Sequence, residues 1–381
     1  MKICFVSHSS AKGGGERSLL ETIHALQVRG VECVALLPKK GPLCADLERM
    51  SVEYGILPYR KWTGPEDGPP WRRAARLTWN LLWSLPAALR VRRWGPDLVY
   101  TNTSTVPVGA WAAALTGRPH VWHIRELGRV HNRRVFDLGE RAALSTIGRL
   151  SALVLANSEY VAAHYRPAIG ETRIAVVRQA VTPDRRDSAG VPPRTGRFRC
   201  VVVGSLSRFK RQEEAVEALA RLVAGGRAAE LLIVGSGDPE YERRLREMSV
   251  RLGLEQSVHF LGEVPAAWPF IESADVVVQC SRYEAFGRVA VEGMLAARPV
   301  VGASSAGTTE LIHDGQNGRL YEVGDVDRLA VILRELMDSP EERTRLGNNA
   351  RAWAEARFGE EQYGDALVAH FHRILESARF G

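Results

Sequence analysis

No stretch of this 381-residue chain approaches the ~18 uninterrupted apolar residues that mark a membrane-spanning helix. The apolar run in the opening MKICFVSHSS is also too short for a secretory signal and reads as a first strand, so a cytoplasmic location is expected. Cysteine is sparse. The five residues, Cys4, Cys33, Cys44, Cys200 and Cys280, form no CxxC pair and no Cys/His cluster at zinc spacing. All except Cys44 fall in or beside expected strands, which suits buried free thiols in a reducing compartment. Charge of one sign is not in large excess either. The net +7 from 51 basic and 44 acidic residues suits anionic ligands or membrane surfaces, but is too weak to imply nucleic acid. Neither a Ser/His/Asp set nor an HExxH helix can be picked out.

What is present is alternation. Hydrophobic residues at 45% and charged residues at 25% are ordinary for a globular protein, and the length suits two domains rather than one core. Strands are expected at residues 2–6, 31–37, 52–57, 98–101, 120–124 and 152–156. The first helix, 16–29, places Leu19, Leu20, Ile23 and Leu26 at helical spacing and stops at Gly30. The stretch 182–197 is rich in proline, glycine and charge, with nothing to bury. Strands then restart at 198–203, 231–234, 258–261, 276–278, 299–302 and 319–321. Such alternation predicts parallel sheets covered by helices. The expected division is residues 1–182, a linker at 183–197, and residues 198–360. A last helix near 361–381 is free to pack back on the first domain.

Residues 275–312 organise the second half. They read as strand, polar loop, helix, strand, polar loop, helix, so both loops leave the carboxyl ends of neighbouring strands, where open α/β sheets bind ligands. One loop carries Glu284, and the helix after it carries Glu292. A carboxylate accepts from two vicinal hydroxyls at once, as a ribose or hexose offers. Backbone amides around Gly287 and Thr308 open helices, where phosphate oxygens bind well. Singly, each acid reads as a solvated residue; together with Phe286-Gly287 and Gly307-Thr308-Thr309-Glu310, they read as half a sugar-nucleotide site.

The run from Glu284 to Glu292, EAFGRVAVE, resembles the E-x-F-G-x(4)-E signature of the family 4 retaining glycosyltransferases. Gly13-Gly14-Gly15-Glu16 resembles that family's loop after the first strand, and Gly204 to Lys210 the loop that opens its second domain. The resemblance implies the GT-B fold, an α/β architecture of two Rossmann-like domains facing each other across a cleft. The first would bind acceptor and the second nucleotide-sugar donor. It gives Glu292 the ribose and Glu284 the donor sugar. Lys210 and the amides of Gly14 and Gly15 take the diphosphate, while Ala285, Phe286, Gly287, Arg288 and Thr308 hold sugar and phosphates. Leu261 would flank the base. His123, after a strand of the first domain, would face the donor sugar, and His123, Lys210 and Glu284 form the implied catalytic set. Arg125 and Glu126 are candidate acceptor contacts, or else a structural ion pair. The family usually has arginine where this chain has Ser205, itself a candidate donor contact, so either Arg208 or Arg211 is expected to reach the diphosphate instead or the donor is held less tightly.

The implied reaction moves a hexosyl group, from a UDP-sugar in preference to a GDP-sugar, to the hydroxyl of a saccharide, lipid-linked or small-molecule acceptor. Neither cofactor nor metal is expected. Asp325-Val326-Asp327 spells a metal motif of another glycosyltransferase fold, but here it suits a helix N-cap. A GT-B epimerase acting on the sugar nucleotide alone and a non-catalytic nucleotide-sugar-binding subunit are the alternatives. One segment stands apart. Residues 59–94 hold five tryptophans and seven arginines, with Arg72, Arg73, Arg76, Asn80 and Ser84 on one side of a helix that Pro86 should kink or divide. That is either a basic helix resting on an anionic membrane or a packing helix with arginines in water.

Overall fold

A computed structural model describes every residue except 12, 129–133, 187–189 and 381. The chain divides into two compact units, Met1–Ala180 with Glu360–Gly381, and Val181–Gly359.

The first unit holds β1 (Lys2–Val6), β2 (Glu32–Leu37), β3 (Glu53–Ile56), β4 (Thr63–Pro65), β5 (Leu98–Thr101), β6 (His120–Ile124), β7 (Arg134–Phe136), β8 (Leu153–Ala156) and β9 (Ile174–Val176). Seven of these form a parallel sheet in the order β3-β2-β1-β5-β6-β8-β9. Helices cover both faces, so central strands such as β1 and β5 are near-continuous apolar runs. The short antiparallel pair β4–β7 lacks such runs, and β9, though apolar, is only three residues long, so the sequence does not signal them. The carboxyl-terminal helix Glu360–Phe380 lies on the helix Gly14–Gln27, with Tyr363, Leu367 and Phe371 in one core with Leu19 and Ile23.

The second unit holds β10 (Phe198–Val203), β11 (Ala229–Val234), β12 (Val258–Gly262), β13 (Val276–Gln279), β14 (Val300–Ala303) and β15 (Arg319–Tyr321). They form a parallel sheet in the order β12-β11-β10-β13-β14-β15. Asp325 caps the helix Val326–Asp338, its carboxylate accepting the Arg328 amide at 2.9 Å.

Two expectations change. The helix Pro70–Trp94 runs unbroken through Pro86. The carbonyl that proline leaves without a donor is that of Leu82, an exposed residue, so it stays open to solvent and the missing bond is tolerated. Part of its expected polar side also turns inward, although Arg72 stays exposed. Asn80 and Ser84 are buried while Leu81, Leu82, Leu85 and Leu89 face out. Asn80 accepts the Arg60 amide at 2.8 Å, and Ser84 donates to the Asn80 carbonyl at 2.7 Å. These small side chains, with the Asn80 oxygen and the Ser84 hydroxyl each hydrogen-bonded, let the helix pack against the helix Val108–Thr116.

The stretch expected to bury nothing is fastened to the second unit. Val181 is in its core and Val191 packs on it. Arg199 donates to the carbonyls of Pro192 and Pro193 at 3.0 and 2.7 Å, and to Glu230 Oε1 at 2.7 Å. Arg199 is fully buried and Glu230 is 2% exposed. Removing one member of such a pair leaves an uncompensated charge. Arg199→Leu should therefore destabilise the protein by about 3–5 kcal/mol, read as a lower urea midpoint. A midpoint equal to wild type would mean that the pair does not fasten this segment.

Candidate functional site

In each sheet the strand order reverses once, between β10 and β13 in the second unit and between β1 and β5 in the first. Loops on either side of that reversal diverge and leave room for a ligand.

In the second unit these loops are 204–211 and 280–287. The Arg282 amide donates to the Phe209 carbonyl at 3.0 Å, holding them together. That contact brings Lys210 Nζ within 2.6 Å of Glu284 Oε2, with the side chains 30% and 18% exposed. The next helix, Arg288–Leu295, starts at Gly287 with φ +90° and has no side-chain cap, so its first amides are not taken up by a capping side chain. One turn along, Glu292 accepts from Arg288 Nε at 3.1 Å. Arg288 also reaches the Thr182 carbonyl at 3.4 Å. The loop after β14 closes on the same place, where the Gly307 amide donates to the Glu284 carbonyl at 2.8 Å. A Cβ on Gly307 would lie 2.7 Å from the Ala285 oxygen, so only glycine allows this approach.

Other residues that the resemblance implicates are placed differently. Phe286 is a core side chain, its ring edge-on to Phe358 at 5.5 Å, so it shapes the loop from beneath. Thr308 is fully buried, with its hydroxyl accepting from Gln279 Nε2 at 2.9 Å. Leu261 packs on the same core. Ser205 is exposed at the end of β10, and its carbonyl accepts from Gln212. Arg211 is paired with Glu214, whose other oxygen takes the Tyr321 hydroxyl at 2.7 Å. Arg208 is exposed and makes no hydrogen bond or ion pair among the described residues. Of the two arginines, it is the one with its charge uncommitted.

In the first unit the helix Gly14–Gln27 also starts without a side-chain cap, at Gly13. Asn102, directly after β5, donates to the Gly15 carbonyl and accepts from Arg125 Nε, both at 2.9 Å. Arg125 donates further to Gln179 at 2.5 Å, to Thr22 at 3.2 Å and to Tyr363 at 3.3 Å. It does not pair with Glu126. The Glu126 carboxylate instead accepts the Thr103 hydroxyl at 2.6 Å, the Ser104 amide at 2.8 Å and the Ser104 hydroxyl at 2.7 Å. Both candidate acceptor side chains thus hold the protein's own loops. The polar run Asn102–Thr105 and the distant Tyr363 and Gln179 were not singled out from sequence; a polar run straight after an apolar strand at the reversal was the available signal.

His123 is fully buried. Its Nδ1 faces the Tyr100 hydroxyl and lies 3.2 Å from Arg125 Nη2. Arginine only donates, so Nδ1 accepts and the ring proton sits on Nε2, which has no hydrogen-bond partner among the described residues. Burial, and then the Arg125 charge, hold its pKa well below the ordinary value. The imidazole is a neutral donor.

Residues 184–353 match the family described as "Glycosyl transferases group 1", and residues 12–185 match "Glycosyltransferase Family 4". The chain belongs to the group 1, family 4 glycosyltransferases. It is similar to the lipopolysaccharide core biosynthesis glycosyltransferase LpsD of Rhizobium meliloti, 27% identical with 98% of each chain covered. It is 27% identical to the 2-deoxystreptamine glucosyltransferase of Streptomyces kanamyceticus over 76% of this chain and 80% of that one. The crystal structure of Anabaena HepE in complex with UDP and glucose is 26% identical, with a TM-score of 0.79, covering 98% of this chain and 99% of that one. The glycosyltransferase has the GT-B fold, two Rossmann-like α/β domains.

This glycosyltransferase should be acid-sensitive for a defined reason. Burial pushes His120 down from 6.5 to about 3 and lowers His123 as well. A histidine depressed in the folded state contributes stability that is complete above 6.5 and is lost as pH falls below it. Each such ring costs up to about 1.4 kcal/mol per pH unit. Denaturant midpoints should fall between pH 7 and 5, with a shallower slope in His120→Gln; an unchanged slope would contradict the burial assignment.

Proposed function

We propose that this glycosyltransferase is a retaining hexosyltransferase. It uses a UDP-sugar in preference to a GDP-sugar, and glycosylates an acceptor hydroxyl in glycan, cell-envelope or natural-product biosynthesis. The observation that carries the reading is the Lys210–Glu284 pair at the strand reversal, beside the uncapped start of the helix Arg288–Leu295. The HepE complexes with UDP and glucose, and the names of LpsD and the 2-deoxystreptamine enzyme, support it.

A departing nucleoside diphosphate needs positive charge more than it needs a general base. The Lys210 ammonium, the first amides of the Arg288 helix and the uncommitted Arg208 supply it without a metal ion. As Lys210 moves to the diphosphate, Glu284 becomes an acceptor for donor-sugar hydroxyls, and Glu292 takes the ribose. The bond from the anomeric carbon to the diphosphate oxygen breaks while the acceptor oxygen bonds to the same face. The acceptor proton passes to the leaving phosphate oxygen. The same reading gives the Gly14 and Gly15 amides and the His123 Nε2–H to the donor, and a cytoplasmic, membrane-peripheral position to the protein.

Release of UDP or GDP from a panel of sugar nucleotides, with and without acceptors, tests the reading. Lys210→Ala should lower kcat/KM by about 10²–10³-fold, and Glu292→Ala should raise the donor KM. NMR of the product should show the donor's anomeric configuration. If both variants transferred from every accepted donor like wild type, the site assignment would fail.

A further inference from the structure

The helix Pro70–Trp94 carries the densest exposed apolar surface among the described residues. Trp71 is 66% exposed, Leu81 62%, Leu82 66%, and Leu85 and Leu89 60% each. Scattered exposed leucines are ordinary, but contiguous apolar strips are not. Trp71, Ala75, Thr78, Leu82, Leu85 and Leu89 recur at alternating steps of about three and four residues, so they line one face. The opposite face, with Asn80, Ser84, Ala87, Ala88 and Val91, is the one buried in the first unit.

Charge identifies what covers the strip. The helix holds Arg72, Arg73, Arg76, Arg90, Arg92 and Arg93 and no aspartate or glutamate. Arg76 is committed inward to Asp137. Arg72, Arg92 and Arg93 are exposed along the strip, and Trp71, with the Arg72 guanidinium 5.2 Å from its ring, stands at one end. A second copy of the chain would bring arginine against arginine. An anionic bilayer offers hydrocarbon for the leucines and phosphates for the arginines.

We infer that this face lies flat on an anionic lipid surface, with Leu82, Leu85 and Leu89 at the acyl boundary and Arg72, Arg92 and Arg93 on headgroup phosphates. The inference deepens the peripheral position given under Proposed function and uses none of its chemistry. Vesicle binding is read without donor, so its failure and a failure of transfer register separately.

Flotation with phosphatidylglycerol-containing vesicles is the test. The wild-type protein should float with them, bind phosphatidylcholine-only vesicles at least tenfold more weakly, and detach as salt is raised. Leu82→Asp/Leu85→Asp should lose binding at least tenfold, and so should Arg92→Glu/Arg93→Glu. All four side chains are exposed, so the urea midpoint should not move. Absence of flotation, or wild-type flotation of the leucine variant, would overturn the inference. So would a self-association of the wild type that the leucine variant abolishes, which would assign the strip to a second copy.

Discussion

The ion pair between Lys210 and Glu284 depends on the sheet beneath it, and the proposed chemistry depends on the ion pair. Two loops leaving neighbouring parallel strands on either side of the order reversal deliver one cation and one anion to the same point. An acid at the donor site would repel a diphosphate unless a cation stood between them. A partly exposed pair of this kind is worth on the order of 1 kcal/mol. Exchanging Glu284 for a diphosphate therefore costs Lys210 little and frees the carboxylate for hydroxyls.

The first unit solves a different problem. Arg125 has no carboxylate partner among the described residues, and its charge is shared among Asn102, Gln179, Thr22, Tyr100 and Tyr363. Tyr363 belongs to the carboxyl-terminal helix, so the last element of the chain fixes a guanidinium beside His123. Burial, and then that guanidinium, keep the imidazole neutral, and the guanidinium's donation to Nδ1 leaves the ring proton on Nε2. Residues far apart in sequence thus determine what one ring can donate.

Much of the fold was legible because parallel strands buried on both faces are apolar runs bounded by polar loops. β4 and β7 are too short and too mixed in composition to announce themselves, and β9, though apolar, is too short; their pairing is set by neighbours rather than by composition. Lys210, Glu284 and Glu292 were legible as motif positions. The burial of Phe286 and Thr308 was not, because a motif does not say whether its residue acts through side chain or support. The helix 70–94 was misread in orientation. Hydrophobic patterning located two faces, but Asn80 and Ser84 are small and bond to neighbouring backbone, so they pack inward and leave the leucines outside.

Calorimetric titration of UDP into the wild-type protein, Lys210→Ala, Glu284→Gln and the double variant tests the central claim most directly. If the pair is the seat of the diphosphate, Lys210→Ala weakens UDP binding at least tenfold, about 1.4 kcal/mol. Glu284→Gln binds UDP as tightly as wild type or more tightly, because the competing carboxylate is gone. Unchanged UDP affinity in Lys210→Ala would contradict the account.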